Sequence, residues 1–328
     1  MRIALVTPAS PGSLSGNRVT AERWAGMLNE LGHEASVEES DTPEALAADP
    51  DLLVALHARK SARAIASFRS RHPQRALVVA LTGTDLYGGL EGDETALRSL
   101  AMATRLVALQ PKGLEELPAE LRPKVHVIVQ SAVAPLARPE ALPDCFEVVV
   151  SGHLREVKDP FRAAEAARLL PASSRLRITH LGAALEAEME RRARAETAGN
   201  PRYLWLGPLP RQQALAVVAR SRLLALTSLM EGGANVVCEA LACGTPVVSS
   251  RIPGSIGLLG EDYPGYFPVG DTEALAALLL RAETDPAFYA DLQERCAHLS
   301  SLVQPARERE SWRELLASLG AGAVATPV

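Results

Sequence analysis

Cysteine is scarce, and the little there is follows no metal-binding pattern. The four cysteines, at 145, 238, 243 and 296, form no Cys-x-x-Cys pair and no grouping with histidine. That argues against a zinc site and against a disulfide framework. They are expected as reduced thiols, three of them plain core residues, with Cys238 packed inside the motif described below. Long apolar runs are also missing. The longest, Ala76–Leu81 and Ala274–Leu280, fall far short of the roughly 18 residues that cross a bilayer. The opening, MRIALVTPAS, reads as a buried strand rather than a signal peptide. Neither sign of charge dominates: 34 Lys+Arg stand against 39 Asp+Glu, for a net charge of −5. The chain therefore offers no general basic field to attract nucleic acid. There is no internal repeat and no low-complexity tract. The expectation is a cytoplasmic protein, a monomer or small homo-oligomer, with no nucleic-acid partner and no stable membrane insertion.

What is present is a rhythm. At 328 residues the chain is long enough for two domains. Short apolar runs (Ile3–Thr7, Leu52–Leu56, Ala76–Leu81, Leu106–Leu109, Val125–Val129) alternate with amphipathic stretches such as Arg18–Leu31 and Ser61–Arg71. Continuous rather than alternating apolar runs indicate strands buried on both faces, hence a parallel sheet covered by helices. Prolines at 135, 139 and 143 break the rhythm and mark residues 131–143 as a linker. The alternation then restarts at Phe146–Val150 and runs through Leu176–His180, Tyr203–Leu206, Leu223–Leu226 and Thr245–Ser249, with helices between them. The spacing predicts two successive doubly wound α/β domains, residues 1–143 and 144–303. A last helical segment, 304–328, follows them. In such sheets, ligands bind at the carboxyl ends of the strands.

The most informative stretch is SLMEGGANVVCEALACGTPVV, residues 228–248. It leaves a strand, crosses Gly232 and Gly233, and enters a helix that ends at Gly244. Glycines let the backbone approach a ligand closely, and a helix start presents N–H groups carrying partial positive charge, a combination suited to a diphosphate. Glu231 falls before the helix and Glu239 near its second turn, where two carboxylates can accept hydrogen bonds from sugar hydroxyls on either side of a phosphate. The bland alternative is an ordinary βα connection with Glu239 on a solvated face. The whole string resembles the retaining GT-B glycosyltransferases of glycosyltransferase family four. Their signature is this Glu-x7-Glu followed by Ala-x-Ala-x-Gly-x-Pro-Val-Val.

The resemblance implies two Rossmann-like doubly wound domains facing each other across a cleft, with the final helix packing back on the first. It implies a nucleotide-sugar donor as substrate, with no cofactor and no metal. Glu231 would contact the donor sugar, the amides of Gly232, Gly233, Ala234 and Asn235 would hold the diphosphate, and Glu239 the ribose. Residues 152–160, GHLREVKDP, resemble the family's Gly-Arg-Leu-x-x-x-Lys element. Lys158 matches the lysine that neutralises the leaving group, so Glu231 and Lys158 are the catalytic candidates. His153 stands where arginine is expected, with Arg155 as the alternative second cation. The turn LGPL, ending at Leu209, resembles the uracil-contacting turn. In the first domain, PASPGSLSGNR (8–18) resembles the glycine loop that faces diphosphate and acceptor, with Gly16 on the donor side and Asn17 and Arg18 on the acceptor side. A plain flexible βα loop explains it almost as well. Asp49-Pro50-Asp51 matches the Asp-x-Asp metal signature formally, but it precedes a strand and so lies at the wrong end.

The acceptor side is expected in the first domain. The loop LTGTDLY (81–87) contributes Thr82, Thr84 and Asp85, and lacks the histidine that many relatives carry near Thr84. That absence favours an acceptor that does not present a neutral alcohol. The loop HARK (57–60) places His57, Arg59 and Lys60 at a strand end, where with Arg18 they would form a small anion pocket. Arg69, Arg71 and Arg75 are expected on a solvated helix face. This combination, with LLGEDYPGYF (258–267), resembles the selenosugar synthases of selenoneine biosynthesis over nearly the whole chain. Such membership implies selenophosphate as acceptor, UDP-N-acetylglucosamine or UDP-glucose as donor, and a 1-seleno-sugar as product. Two alternatives stand beside it: a family-four enzyme acting on a conventional hydroxyl, and a non-catalytic nucleotide-binding protein.

Overall fold

The computed structural model describes residues 1–42 and 49–321, which fold as two compact units. The first unit comprises residues 1–130 and 305 onward, the second residues 131–304. The proline-bearing stretch 131–143 thus belongs to the second unit. The final helix belongs to the first.

The first unit is built on six parallel strands: β1 (Arg2–Thr7), β2 (Glu34–Glu39), β3 (Leu52–Leu56), β4 (Ala76–Leu81), β5 (Arg105–Ala108) and β6 (Val125–Val127). Their spatial order is β2-β1-β3-β4-β5-β6. The central strands are buried along almost their whole length, as continuous Val, Leu and Ala runs require. Strand β2 is an edge strand of sequence EASVEE, and its polar make-up hides it from an apolar-run reading. Helix α1 (Gly16–Glu30) follows β1, α2 (Ala62–Arg71) follows β3, and α3 (Glu94–Met102) follows β4.

One face of this sheet packs Phe68 and Ile65 of α2, with Leu100 of α3, against Val79 and Leu53. The other packs Trp24 and Leu28 of α1 against Leu5, Val54 and Ile128. The chain's last helix (Pro305–Ala321) supplies Trp312 and Leu315 to that second core, and the Trp24 and Trp312 rings meet edge to face with centroids 4.9 Å apart. Burial alone would leave the indole N–H of Trp24 unsatisfied; it donates to Glu308 Oε1 at 2.7 Å, and Glu308 also accepts from Arg23. Arg69 departs from its expected place on a solvated face. Its guanidinium donates to the carbonyls of Met102, Pro73 and Arg75, closing the carboxyl end of α2. Arg75 pairs with Asp49, and Asp51 accepts from the backbone N–H of Arg2 at 2.8 Å, so both carboxylates of the formal Asp-x-Asp are spent on local contacts.

The second unit has six parallel strands: β7 (Phe146–Ser151), β8 (Leu176–Leu181), β9 (Tyr203–Gly207), β10 (Leu223–Leu226), β11 (Val247–Ser250) and β12 (Tyr266–Phe267). Their order is β12-β11-β10-β7-β8-β9. The chain starts in the middle, winds outward to β9, then crosses to β10 on the other side of β7. Helices α4 (Arg162–Arg168), α5 (Ala187–Gly199), α6 (Arg211–Arg220), α7 (Asn235–Cys243) and α8 (Pro253–Leu259) connect the strands. Helices α9 (Thr272–Thr284), α10 (Pro286–Leu299) and α11 (Pro305–Ala321) complete the chain. Asp271 and Asp285 cap α9 and α10, accepting from Ala274 N at 2.9 Å and Phe288 N at 3.0 Å. Among the described residues no helix is long and apolar enough to cross a membrane. None of the four cysteines is in a disulfide, and only Cys145 is less than fully buried.

Candidate active site

Strand order places the switch point of the second sheet between β7 and β10, and the two segments expected to bind the donor follow these strands. After β7 the chain runs through Gly152–Asp159, ending in a 3-10 turn at Glu156–Lys158. Asp159 then adopts the left-handed region (φ 43°) and its carboxylate accepts from Arg162 Nε at 2.7 Å. After β10 comes Thr227, whose hydroxyl lies 3.0 Å from the carbonyl oxygens of both Lys158 and Asp159. Leu229 N donates to Val157 O at 2.9 Å. These bonds stitch the Lys158 turn to the Glu231 loop.

The consequence is a defined place for two side chains. Glu231 Oε1 accepts from Ser228 Oγ at 2.7 Å and is ion-paired with the Lys158 ammonium. Oε2 of the same carboxylate has no partner among the described residues. The loop is held from below by Ser250, whose hydroxyl donates to Ser228 O at 2.6 Å. Gly254 allows the closest approach, since a Cβ there would overlap the carbonyl oxygen of Glu231. Ser228, Thr227, Ser250 and Gly254 are the supporting residues that motif reading missed. For Gly254 the local signal is slight: a glycine after the proline that opens α8, four residues past the end of β11.

Behind Glu231, the chain passes Gly232, Gly233 and Ala234 into α7. Ala234, at the N-cap, has no side-chain group to cap the helix. Gly244 ends the helix in the left-handed region (φ 66°). Glu239, one turn into the helix, lies 3.4 Å from Arg211 Nη2 of α6. Two carboxylates thus flank an uncapped helix start, one tethered to a lysine and one to an arginine.

The β8 and β9 ends adjoin the turn that follows β7. Gly182 (φ 142°) approaches Gly152 so closely that a Cβ would overlap the Gly152 carbonyl, and Gly182 N donates to Gly207 O at 2.9 Å. His180, buried on β8, points Nε2 at Gly152 O (3.2 Å) and accepts the Tyr203 hydroxyl at Nδ1 (2.9 Å). Burial pulls its pKa down to about 4, only partly opposed by the Gly152 bond, so the ring is neutral. His153 Nδ1 accepts from Ala183 N at 3.1 Å, which puts the ring hydrogen on Nε2 and makes the side chain a directional neutral donor in place of the expected arginine. Arg155 is exposed, and Leu209, beyond Gly207, is half-buried.

In the first unit the corresponding strand ends carry the acceptor candidates. Ser15 caps α1 by accepting from Arg18 N at 3.4 Å, with Gly16 and Asn17 forming the helix start. Arg18 is 8% exposed; its Nε pairs with Glu22 at 2.7 Å, but its buried Nη1 has no partner among the described residues. The Thr7 hydroxyl, at the end of β1, is likewise buried and unpartnered among them. His57 is buried with φ 74° and contacts Thr84 Oγ1 through Nε2 at 3.1 Å.

Asp85 departs from its expected role as an acceptor ligand. It is fully buried, and both oxygens are consumed: Oδ1 accepts from Thr82 N and Gly83 N at 2.9 Å each, Oδ2 from Ala58 N at 2.9 Å. Three backbone amides make it a clamp between the β3 and β4 loops rather than a group facing a ligand. Arg59 is ion-paired with Asp93, the cap of α3, while Lys60 is exposed. Among the described residues no cluster of three His, Cys, Asp or Glu is placed to hold a metal ion.

No curated protein matches the chain. Solved structures do. Anabaena HepE in complex with UDP and glucose aligns with a TM-score of 0.74 at 19% identity, covering 97% of this chain and 100% of that one. Sucrose-phosphate synthase from Thermosynechococcus elongatus aligns with a TM-score of 0.75 at 17% identity, covering 98% and 99%. S. aureus TarM, in a complex containing UDP, aligns with a TM-score of 0.64 at 12% identity, covering 80% of this chain and 55% of that one. At such identities the likeness establishes the architecture: two six-stranded parallel α/β sheets of the GT-B type. The motif-bearing unit is matched at the level of sequence as well, for residues 138–298 fit the family model of Glycosyl transferases group 1.

Proposed function

We propose that this chain is a glycosyltransferase that moves the sugar of UDP-N-acetylglucosamine or UDP-glucose onto selenophosphate. The observation that carries the donor half is the Lys158–Glu231–Ser228 constellation beside the uncapped start of α7. A diphosphate arriving there meets the helix N–H groups and competes with Glu231 for the lysine. Glu231, released from that pair, accepts hydrogen bonds from the sugar hydroxyls. Glu239 takes the ribose, in exchange for its contact with Arg211. The family-model match and the UDP and UDP-glucose complexes of HepE support the same donor class.

The acceptor half rests on the buried Nη1 of Arg18, unpartnered among the described residues, and on Asp85, whose oxygens are spent on amides and so supply no base. A hydroxyl acceptor needs a base while it attacks. Selenophosphate is already anionic and needs only to be held. In the step proposed, the anomeric C–O bond to UDP breaks, its electron pair goes to the β-phosphate beside Lys158, and a C–Se bond forms. Water then cleaves Se–P, giving the 1-seleno-sugar and phosphate. Mass spectrometry of each UDP-sugar with selenophosphate tests the proposal. A selenium-containing sugar with equimolar UDP and phosphate is expected; UDP release that ignores selenophosphate and follows an added alcohol would overturn it.

A further inference from the structure

The hydrogen-bond directions around His57 determine what Thr84 can do. His57 N donates to Ala80 O at 2.8 Å and its carbonyl accepts from Ser61 N at 3.0 Å, so the residue is tied at both ends in the left-handed region (φ 74°). Side chains rarely occupy that region unless the surroundings demand it. The ring is 2% exposed. Its Nδ1 receives the backbone N–H of Lys60 at 3.3 Å, so that nitrogen is an acceptor and the ring hydrogen sits on Nε2. Asp85 Oδ2 is 3.7 Å from Nδ1, beyond hydrogen-bond reach, and already accepts from Ala58 N. Burial favours the neutral ring over the pull of Asp85.

Nε2–H therefore donates to Thr84 Oγ1, 3.1 Å away. A hydroxyl that accepts from a fixed donor keeps one hydrogen to give. Thr84 is only half-buried, and no partner takes that hydrogen among the described residues. The loop is rigid where it matters: Gly83 and Gly88 permit a turn so tight that a Cβ at Gly88 would overlap the carbonyl oxygen of Thr84.

We propose that Thr84 is a specificity-determining residue that donates its hydroxyl hydrogen to an oxyanion of the acceptor, and that His57 is the positioning residue that fixes this direction. A committed donor stabilises an oxygen bearing lone pairs and no hydrogen, and it cannot take up the proton of an attacking alcohol. The class selected is a tetrahedral phosphate-type anion. This deepens the acceptor half of the proposed function and rests on it.

The test compares Thr84→Val, Thr84→Ser and His57→Asn with the wild type. Asparagine tolerates the left-handed region but is too short to replace the Nε2 contact. Thr84→Val is expected to raise the KM for selenophosphate about tenfold, the loss of one hydrogen bond to a charged group, with the UDP-sugar KM within about twofold of wild type. Thr84→Ser restores the wild-type value, and His57→Asn raises the acceptor KM about threefold. An unchanged acceptor KM in Thr84→Val, or an equal rise in the donor KM, overturns the assignment. Calorimetric binding of thiophosphate is read in parallel. If no acceptor supports turnover, the proposed reaction fails, yet weakened thiophosphate binding in Thr84→Val but not Thr84→Ser still upholds the Thr84 assignment; equal binding by all variants refutes it.

Discussion

Acidification will weaken the fold through His180, by an amount the structure sets. The imidazole is buried on β8, with one nitrogen on the Gly152 carbonyl and the other on the Tyr203 hydroxyl. Protonation would place a charge in a site with no counter-ion among the described residues and would turn the Nδ1 acceptor into a donor facing a hydroxyl. The folded pKa is about 4 against an ordinary 6.5. The sign follows: as pH falls below 6.5 the unfolded chain takes up a proton that the folded chain refuses, so unfolding becomes easier. Stability from this residue is complete above pH 6.5 and is lost progressively toward pH 4. At about 1.4 kcal/mol per pH unit the full loss is about 3 kcal/mol, with about 2 kcal/mol gone by pH 5. Other histidines with lowered values add to the wild-type slope, among them His57 and His126. The informative quantity is therefore a difference. His180→Gln keeps an N–H near the Gly152 carbonyl but does not titrate. In urea unfolding at pH 7.5 and pH 5, the wild type should lose about 2 kcal/mol more than the variant. Parallel losses in the two proteins would refute the reasoning.

Three further outcomes are expected. Lys158→Ala should lower kcat about 10²–10³-fold with little change in the ranking of donor sugars, because a leaving-group contact matters most in the transition state; steady-state kinetics on two UDP-sugars would expose an equal loss in binding. Asp85→Ala leaves the N–H groups of Ala58, Thr82 and Gly83 without their acceptor, and should cost about 2–3 kcal/mol in urea unfolding. A variant as stable as wild type would return Asp85 to the ligand. Trp312→Ala removes a fully buried indole from the core that α11 shares with Trp24. The expected loss is about 3–5 kcal/mol, and loss of α11 protection in hydrogen exchange would locate it.

The parts of this molecule that could be read from its sequence are those whose signal is local. β3 and β4 are legible because strands buried on both faces must be continuous apolar runs, and LLVAL and ALVVAL are. β2 is not, because an edge strand tolerates EASVEE, and the two-residue β12 is too short to carry any period. The helices Glu94–Met102 and Pro253–Leu259 also escaped, the second because two glycines and a serine leave it little helical character. In the site, Glu231, Glu239 and Lys158 stand in recognisable strings, whereas the contacts that aim them come from afar. Ser250 reaches back to Ser228 across 22 residues, and Thr227 to the Lys158 turn across 69. Asp85 and Glu231 show what such distance hides. Both are carboxylates in loops at strand ends, and composition treats them alike. Asp85 meets three amides brought in by two strand ends, which occupy both oxygens; Glu231 meets one hydroxyl and one ammonium on a single oxygen. Whether a carboxylate serves the fold or a ligand is decided by how many of its lone pairs the folded chain has already claimed, and here that leaves Glu231 with an oxygen to offer and Asp85 with none.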